Sequence, residues 1–379
     1  MENNTTPDEP NVELKEQIRK LREMLNRTKK VRTPSYNYNY DTENGNFARW
    51  GTSVVDDPLY APIGPEILDM EISTSCSGVG NTPCKHCYKA NTHHGENMSF
   101  ETFKTIFEKM PSITQIAFGI GDVDGNPDLF RIFDFCRIHH VAPNVTINGA
   151  RLTNDIATAL SICCGAVAVS RYENKNYCYD AIKQLTDLGM KQINIHMMVS
   201  EETYDMCMET LQDSLTDPRL EKLNAIVMLL YKPKGRGVGQ YTNIKLNRFK
   251  ELVEYGMSNG ISIGFDSCGA PLFIECIKDR DDYEQLLQTV ECCESSLFSA
   301  YINVKGEYFP CSFMEGEPGW EKGIDVVACE DFLNDVWYDE RVKAFRKSLT
   351  SQGVNRKCPH FDLYGEIELN CCGSCCTPA

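Results

Sequence analysis

The sequence has 379 residues, of which 42% are hydrophobic, and a formal net charge of −16. This composition predicts one large globular domain or two smaller ones, and the negative charge argues against a broad surface that binds nucleic-acid phosphates. The N-terminal residues are polar and acidic, no apolar run is long enough to cross a membrane, and nineteen cysteines are present. We therefore expect a cytoplasmic protein whose closely spaced cysteines bind a metal or a cluster rather than form disulfides.

Residues 1–60 are predicted to be a peripheral N-terminal segment. One short amphipathic helix is indicated by apolar residues at helical spacing (Leu14, Ile18, Leu21 and Leu25). Such a helix rests on the domain, pairs with another copy of the chain, or binds a dedicated partner, and we favour the first two. The polar stretch SYNYNYDTENGN that follows predicts a linker.

The central region, residues 61–284, alternates strand-like runs with helix-length segments. The predicted strands are Leu68–Ser73, Ile113–Gly119, Asn144–Asn148, Ala166–Ser170, Gln192–Met198, Ala225–Tyr231 and Ser262–Asp266. The predicted helices are Phe100–Met110, with Ser99 as its N-cap, Asp128–His139, Asn154–Ser161, Tyr179–Leu188, Glu202–Leu211 and Leu246–Asn259. Crossovers of this length predict parallel strands in an open sheet or a barrel. Functional residues should then lie at the C-terminal ends of the strands.

The alternation stops at about residue 285. The remaining residues, 285–379, are rich in Gly and Cys, with hairpin-like character around Tyr301–Cys311. We interpret them as a second, smaller domain.

Three cysteines, Cys76, Cys84 and Cys87, lie within twelve residues on a Gly-rich loop after the first predicted strand. Their thiolates can converge on one metal centre. One interpretation is structural zinc, with His93 or His94 as the fourth ligand. The other is an iron–sulfur cluster, whose fourth iron would stay open to hold a cofactor.

This cysteine segment resembles the radical S-adenosylmethionine (SAM) superfamily, whose usual signature is Cys-x3-Cys-x2-Cys. The chain keeps Cys-x2-Cys and has an aromatic residue, His86, before the last cysteine, but its first gap holds seven residues (SGVGNTP). Longer first gaps occur in a few members of the superfamily. The departure therefore bears on the subfamily more than on the superfamily.

Further motifs follow in the order expected of that superfamily. In FGIGDVDGNPDLF, Gly119, Gly121 and Asp122 resemble the Gly-Gly-Glu-like motif that holds the SAM amino group. In VTINGARL, Asn148 lies in a run similar to Thr-Asn-Gly-x-Leu-Leu. The next predicted strand ends in Ser170 and Arg171, where related enzymes place polar groups against the SAM ribose and carboxylate. YKPKGRG is similar to Pro-x-Gly-Arg-Gly. Each match is weak alone, and their order behind Cys-x2-Cys is the stronger signal.

The resemblance covers residues 66–270 and implies an α/β fold, the partial (β/α)6 radical SAM barrel. It implies a 4Fe–4S cluster on Cys76, Cys84 and Cys87, with SAM bound to the fourth iron. One electron, from a donor such as flavodoxin or ferredoxin, would cleave SAM to a 5′-deoxyadenosyl radical that abstracts a substrate hydrogen.

The C-terminal pattern Cys293-x12-Gly306-x4-Cys311 matches the opening of the SPASM and twitch extensions of this superfamily. Two strands joined by a turn at Gly306 would bring Cys311 beside Cys293. The resemblance implies a second, auxiliary 4Fe–4S cluster, with Cys358 as third ligand and a tail cysteine as fourth (Cys371, Cys372, Cys375 or Cys376, with Cys371 as our assignment). The alternative is that Cys292, Cys293 and Cys311 are buried small hydrophobic residues.

Cys268 follows the last predicted strand. Its thiol could return a hydrogen atom to a substrate radical, and an inert buried cysteine is the favoured alternative. The other cysteines are predicted to be inert (Cys136, Cys163, Cys164, Cys178, Cys207, Cys276 and Cys329).

Three functions are compatible with these motifs. The first is a radical SAM enzyme that modifies a peptide or protein, because SPASM and twitch extensions occur mostly in such maturases. The second is a radical SAM enzyme that acts on a small molecule or nucleotide. The third is a non-catalytic iron–sulfur or zinc protein that serves as a redox sensor or scaffold, which would not need the SAM-binding series.

Overall fold

A computed structural model describes residues 28–353 and 356–364 of the chain. The predicted N-terminal helix and the tail cysteines, Cys371 among them, lie outside the described residues. The described strands form a three-stranded sheet and a ten-stranded sheet.

Seven parallel strands in chain order form most of the large sheet. They are β4 (Ile67–Glu71), β5 (Gln115–Gly119), β6 (Ala142–Ile147), β7 (Val167–Ser170), β8 (Ile193–Val199), β9 (Ala225–Leu230) and β10 (Ile263–Phe265). Each pairs in parallel with the next along the chain. All seven predicted strands are therefore confirmed, and no end is shifted by more than two residues.

Helices follow the strands and cover the sheet. They are α1 (Phe100–Glu108), α2 (Leu129–Ile138), α3 (Asn154–Cys163), α4 (Lys175–Asp187), α5 (Tyr204–Asp213), α6 (Leu246–Ser258), α7 (Ala270–Ile277), α8 (Tyr283–Leu287) and α9 (Glu340–Thr350). The Ser99 hydroxyl accepts a hydrogen bond from Thr102 N, which confirms the predicted N-cap of α1. Buried Phe103 and Ile106 give α1 its apolar face.

The sheet is open rather than closed, because within the described part of the chain β10 pairs only with β9. Beyond β4 the sheet continues through β11 (Ser299–Ile302), β12 (Glu307–Phe309) and β13 (Ile324–Asp325). β11 is parallel to β4 and antiparallel to β12, which confirms the predicted hairpin. The C-terminal segment thus shares a sheet with the partial barrel. A π-helical turn, Leu333–Trp337, precedes α9.

The small sheet corrects the prediction of a linker near residue 40. It contains β1 (Thr28–Arg32), β2 (Asn37–Asp41) and β3 (Phe47–Trp50). Tyr36, Tyr38 and Tyr40 alternate with polar residues, and all three are buried against the core. The Tyr38 hydroxyl donates to Ser112 O at 2.7 Å. The alternation of tyrosines with polar residues is visible in the sequence and is typical of a strand. The polar composition of the same segment favoured a linker instead.

No helix among the described residues is both long and apolar enough to span a bilayer. Six cysteines predicted to be inert are buried as expected (Cys136, Cys163, Cys164, Cys178, Cys207 and Cys276), whereas Cys329 is partly exposed.

The packing of the small sheet gives a testable expectation. Tyr38→Ala should lower the free energy of unfolding by about 3–5 kcal/mol, because it removes a fully buried aromatic ring. Urea unfolding followed by circular dichroism measures this loss. Val55→Ala is the control, since that side chain is 91% exposed. Equal stability of the two variants would show that the small sheet is not part of the folding core.

Candidate functional site

The cysteine loop leaves the C-terminal end of β4. Cys76, Cys84 and Cys87 are all partly exposed. Burial is the main cause that raises the pKa of Cys76 to about 11, and the neighbouring thiols Cys84 and Cys87 contribute to the rise. A backbone hydrogen bond from Cys76 N to Thr92 O, at 2.8 Å, closes the loop. The three thiols therefore lie near one another at the edge where βα loops begin.

The loop after β5 packs directly against these cysteines. A Cβ atom on Gly121 would lie 2.1 Å from Ser75 O and 2.6 Å from the Cβ atom of Cys76, so only glycine permits this approach. The Asp122 carboxylate accepts a hydrogen bond from Ser77 N at 2.8 Å and one from the Asn148 amide at 3.4 Å. Asp122 is buried and lies 3.8 Å from the Cys76 sulfur. The predicted Gly121, Asp122 and Asn148 thus meet at the first cysteine.

The loop after β9 holds the other end of the cysteine segment. Gly235 has a φ of +61°, and a Cβ atom there would lie 2.5 Å from Cys87 O. The Arg236 backbone N–H donates to Cys87 O at 3.1 Å. Its guanidinium donates to Cys84 O at 3.0 Å and to Asn91 O at 2.9 Å. The YKPKGRG motif therefore clamps the cysteine loop, a role that the sequence did not indicate.

Aromatic residues border the cysteine site. The His86 ring stacks on Tyr172 with centroids 5.5 Å apart. The Tyr172 hydroxyl forms hydrogen bonds with Cys84 and Ser170, and burial is the main cause that raises its pKa. Ser170 is register-paired with His196 of β8, so it lies on the strand face that points into the open barrel. Tyr172 is a site residue that the sequence analysis missed.

Gly119 and Arg171 make contacts that the resemblance did not predict. Gly119 ends β5, and a Cβ atom there would lie 3.3 Å from Glu71 Cα, so it packs against β4 rather than against the cysteines. The Arg171 guanidinium pairs with Glu209 of α5 at 2.9 Å and lies over the Tyr179 ring of α4. Successive residues of an extended chain point to opposite faces, so Arg171 faces the helices while Ser170 faces the barrel. Here Arg171 is bound to α4 and α5, and its contact with SAM stays a prediction.

Polar side chains line the inner face of the barrel. The His196 Nδ1 atom lies 3.4 Å from the Thr146 hydroxyl. Burial lowers the pKa of His196 to about 4, so its imidazole is neutral at pH 7. Burial also raises the pKa of Asp69 to about 6. At pH 7 the inner face therefore carries a neutral imidazole at His196 and a mostly ionised carboxylate at Asp69.

The zinc alternative finds no ligand set. His93 and His94 are exposed, with their rings 3.8 Å apart and next to each other. Among the residues that the structure describes, no three His, Cys, Asp or Glu side chains converge closely enough to hold a single metal ion. A 4Fe–4S cluster needs a wider spacing than the roughly 2.3 Å zinc–sulfur bonds impose, because irons and sulfides stand between its cysteines. The three thiols are neighbours on one loop, and three thiolates are a donor set that a 4Fe–4S cluster accepts.

The C-terminal cysteines form a second group. Cys293 is buried, and Cys311 and Cys358 are partly exposed. Burial raises the pKa of Cys311, and both Cys293 and Cys358 lie close enough to raise it further. Phe361 N donates to the Cys358 sulfur at 3.3 Å. Cys292 instead belongs to a separate apolar cluster with Ala270 and Ile274, so it is a small hydrophobic residue.

The two cysteine groups are joined by direct contacts. Tyr88, next to Cys87, packs its ring against Phe313, two residues after Cys311, with centroids 4.4 Å apart. Beside them, the Lys89 ammonium lies 3.1 Å from Glu71 and pairs with Glu315. Tyr88 and Phe313 are far apart in sequence, as are Lys89 and Glu315. Only the three-dimensional structure therefore shows that the two cysteine segments touch.

Solved structures share this architecture. The chain superposes on Streptococcus suis SuiB bound to its precursor peptide SuiA with a TM-score of 0.63 and 11% identity, over 84% of this chain and 90% of that one. SuiB bound to S-adenosylmethionine gives a TM-score of 0.60 and 13% identity, over 78% and 72% of the two chains. The structure of anSMEcpe with bound AdoMet and Cp18Cys peptide gives 0.55 and 16% identity, over 74% and 83%.

The chain has the radical SAM fold. No family model and no curated protein matches the sequence. Identities this low establish the fold alone, and it is the predicted partial barrel. The cysteine loop lies where the superfamily resemblance placed it, in the loop after the first barrel strand.

The close approach at Gly121 can be tested directly. Gly121→Ala should displace the cysteine loop and remove about half of the iron from the reconstituted protein, as expected if one of two clusters is lost. Anaerobic reconstitution followed by iron and sulfide analysis measures the loss. Gly264→Ala is the control, because its Cβ atom would meet only a Val227 methyl group at 3.7 Å. Full iron in Gly121→Ala would show that the loop does not need this contact.

Proposed function

We propose that this chain is a radical SAM enzyme that modifies a peptide or protein substrate. The observation that carries the proposal is the group of three thiols, Cys76, Cys84 and Cys87. They stand at the C-terminal edge of the radical SAM fold, and glycines on two neighbouring loops clamp their loop. When bound, a cluster and SAM would supply a 5′-deoxyadenosyl radical; the protein residues position both and exclude water.

The residues around the three thiols have separate tasks in this proposal. Gly121 and Gly235 keep space for the cysteine loop, and Asp122 fixes its first turn through Ser77 N. The Asp122 carboxylate also supplies the negative charge that would attract the SAM ammonium group, with Asn148 beside it. Ser170 is available to a polar group of SAM from the barrel side, and His86 supplies an aromatic face.

A peptide substrate is supported by the architecture and by the solved neighbours. SuiB was solved with its precursor peptide and anSMEcpe with a peptide, and the chain covers most of both. The open sheet leaves the inner face of the barrel accessible between its two edges. We assign residues 61–284 to the SAM-binding barrel, 285–379 to an auxiliary-cluster region, and 1–60 to an accessory segment that includes β1–β3. An electron donor such as flavodoxin or ferredoxin, in the cytoplasm, would complete the system.

The auxiliary cluster is the second part of the proposal. Cys293, Cys311 and Cys358 are mutual neighbours in a largely enclosed region. They come from the segments before β11, after β12 and after α9, so the fold must be formed before they meet. Three thiolates from separate segments are typical of a cluster site that also stabilises the fold around it.

The proposed reaction predicts slow turnover without substrate. Given dithionite and SAM, the anaerobically reconstituted protein should release 5′-deoxyadenosine, measured by liquid chromatography. The Cys76→Ala, Cys84→Ala, Cys87→Ala triple variant should release none, because it lacks the ligands of the reducing cluster. Cys292→Ala is the matched control and should behave as the wild type. Equal release from the triple variant would disprove the assignment of these cysteines.

The charge of Asp122 can be separated from its structural task. Asp122→Asn keeps an oxygen that accepts from Ser77 N but removes the charge that would pair with the SAM ammonium. SAM affinity should fall by about 1.5–3 kcal/mol, the usual value of a charged hydrogen bond, while iron content stays unchanged. Asp124→Asn is the control, since Asp124 is the closer partner of the half-exposed Arg151, at 2.6 Å against 4.0 Å for Asp122. If Asp122→Asn binds SAM as tightly as Asp124→Asn, another group holds the ammonium.

A further inference from the structure

The long first gap of the cysteine loop contains a closed hairpin. Val79 N donates to Thr82 O at 3.0 Å, and Thr82 N donates to Val79 O at 3.1 Å. Gly80 and Asn81 lie between them, and both have a φ of +60°. Two central residues with positive φ are typical of the two-residue turns that close hairpins. We call Val79–Thr82 the gap hairpin.

Because the gap hairpin closes on itself, it adds little to the separation of the cysteines on either side of it. Three residues of the seven-residue gap lie outside the hairpin (Ser77, Gly78 and Pro83). A Cβ atom on Gly78 would lie 2.1 Å from Thr82 O, so the two sides of the hairpin base are in contact. Three residues is also the first gap of the usual Cys-x3-Cys-x2-Cys signature. The gap hairpin is thus an insertion into that spacing rather than an extension of it.

The tip of the gap hairpin rests on α4. A Cβ atom on Gly80 would lie 2.9 Å from the Tyr177 hydroxyl oxygen and 3.6 Å from the ring carbon that carries it. Tyr177 is half-buried in the first turn of α4, which Asn174 caps by accepting a hydrogen bond from Asn176 N. Gly80 itself is exposed to solvent. Tyr177 therefore supports the tip of the hairpin from the protein side.

Tyr177 is in turn packed against the loop after β6. A Cβ atom on Gly149 would lie 2.2 Å from Tyr177 O. The preceding residue, Asn148, donates to Asp122, and Asp122 accepts from Ser77 N at the start of the gap. The cysteine loop is therefore supported at two points by connected residues, at Ser77 through Asp122 and at the hairpin tip through Tyr177.

We propose that the gap hairpin and Tyr177 hold the segment from Cys76 to Cys84 against α4, and that the hairpin does not set the distance between these two cysteines. Tyr177 is then a positioning residue, because it acts on the cluster through the loop. A loop that is held at a second point loses fewer conformations when its thiolates bind a cluster, so the cluster should be released more slowly. The inference rests on the proposed function for the presence of a cluster at this site.

Deletion of Val79–Thr82 from the full-length chain tests the spacing. The deletion joins Gly78 to Pro83 and leaves three residues between the first two cysteines. After anaerobic reconstitution this variant should keep the iron content of the parent, and the paramagnetic resonance spectrum of its reduced cluster should still change when SAM is added. Loss of about half of the iron, in a variant whose circular dichroism matches that of the parent, would overturn the inference.

Tyr177→Ala tests the support of the hairpin and leaves the gap intact, so it decides the inference even where the deletion variant does not fold. Both variants should release the iron of this site to a chelator several-fold faster than the parent, while the urea midpoint of Tyr177→Ala matches that of Gln184→Ala. Tyr177→Phe keeps the ring beside Gly80 and should release iron at nearly the parental rate. Gln184→Ala is the control, because Gln184 lies on the same helix but donates to Asn154 of α3.

Release of iron at the parental rate in Tyr177→Ala would overturn the inference. Equally fast release in Tyr177→Ala and Gln184→Ala would also overturn it, because the effect would then belong to α4 as a whole. A parent protein that binds no iron at all would instead refute the proposed function. The two failures are therefore distinguishable.

Discussion

The close approach of three backbones around the cysteine loop is the constraint on which the site depends. Gly121 presses against Ser75 and Cys76 from the β5 side, and Gly235 presses against Cys87 from the β9 side. At both positions any side chain would overlap backbone atoms, so the loop is fixed by main-chain packing. Main-chain packing therefore holds the three thiols at one edge of the sheet. Because the loop is already ordered, a cluster that binds there loses no binding free energy on ordering it.

The second cysteine group depends on the way the chain extends the barrel. β11 adds in parallel to β4, on the edge away from β5, and returns through β12. Phe313, two residues after Cys311, meets Tyr88, which follows Cys87. The segments of the two cysteine groups are thus joined by an aromatic contact and by the Lys89 ion pairs. These contacts join the segment after Cys311 to the segment after Cys87 without any covalent link between them.

The sequence predicted the barrel well because each strand and helix carries its own local periodicity, and crossovers of this length imply parallel pairing. It also singled out Cys76, Cys84, Cys87, Gly121 and Asp122, which the structure brings together. It gave no sign of contacts that depend on distant packing, such as the pairing of Arg171 with Glu209 and the contact of Tyr88 with Phe313. The strand Asn37–Asp41 was not predicted for another reason. The polar composition of the segment was given more weight than the alternation of its tyrosines. A contact between residues that are far apart in sequence leaves no local pattern. The alternation of tyrosines in Asn37–Asp41 is such a local pattern.

The central claim is that SAM binds directly to the cluster held by Cys76, Cys84 and Cys87. The most direct measurement is electron–nuclear double resonance on the reduced protein with SAM labelled magnetically at its amino nitrogen and carboxylate oxygens. The account predicts hyperfine coupling from both labels to the cluster spin, lost in the Cys76→Ala, Cys84→Ala, Cys87→Ala variant. Absence of coupling in the fully reconstituted wild-type protein would show that this fold has been adapted to a chemistry other than SAM cleavage.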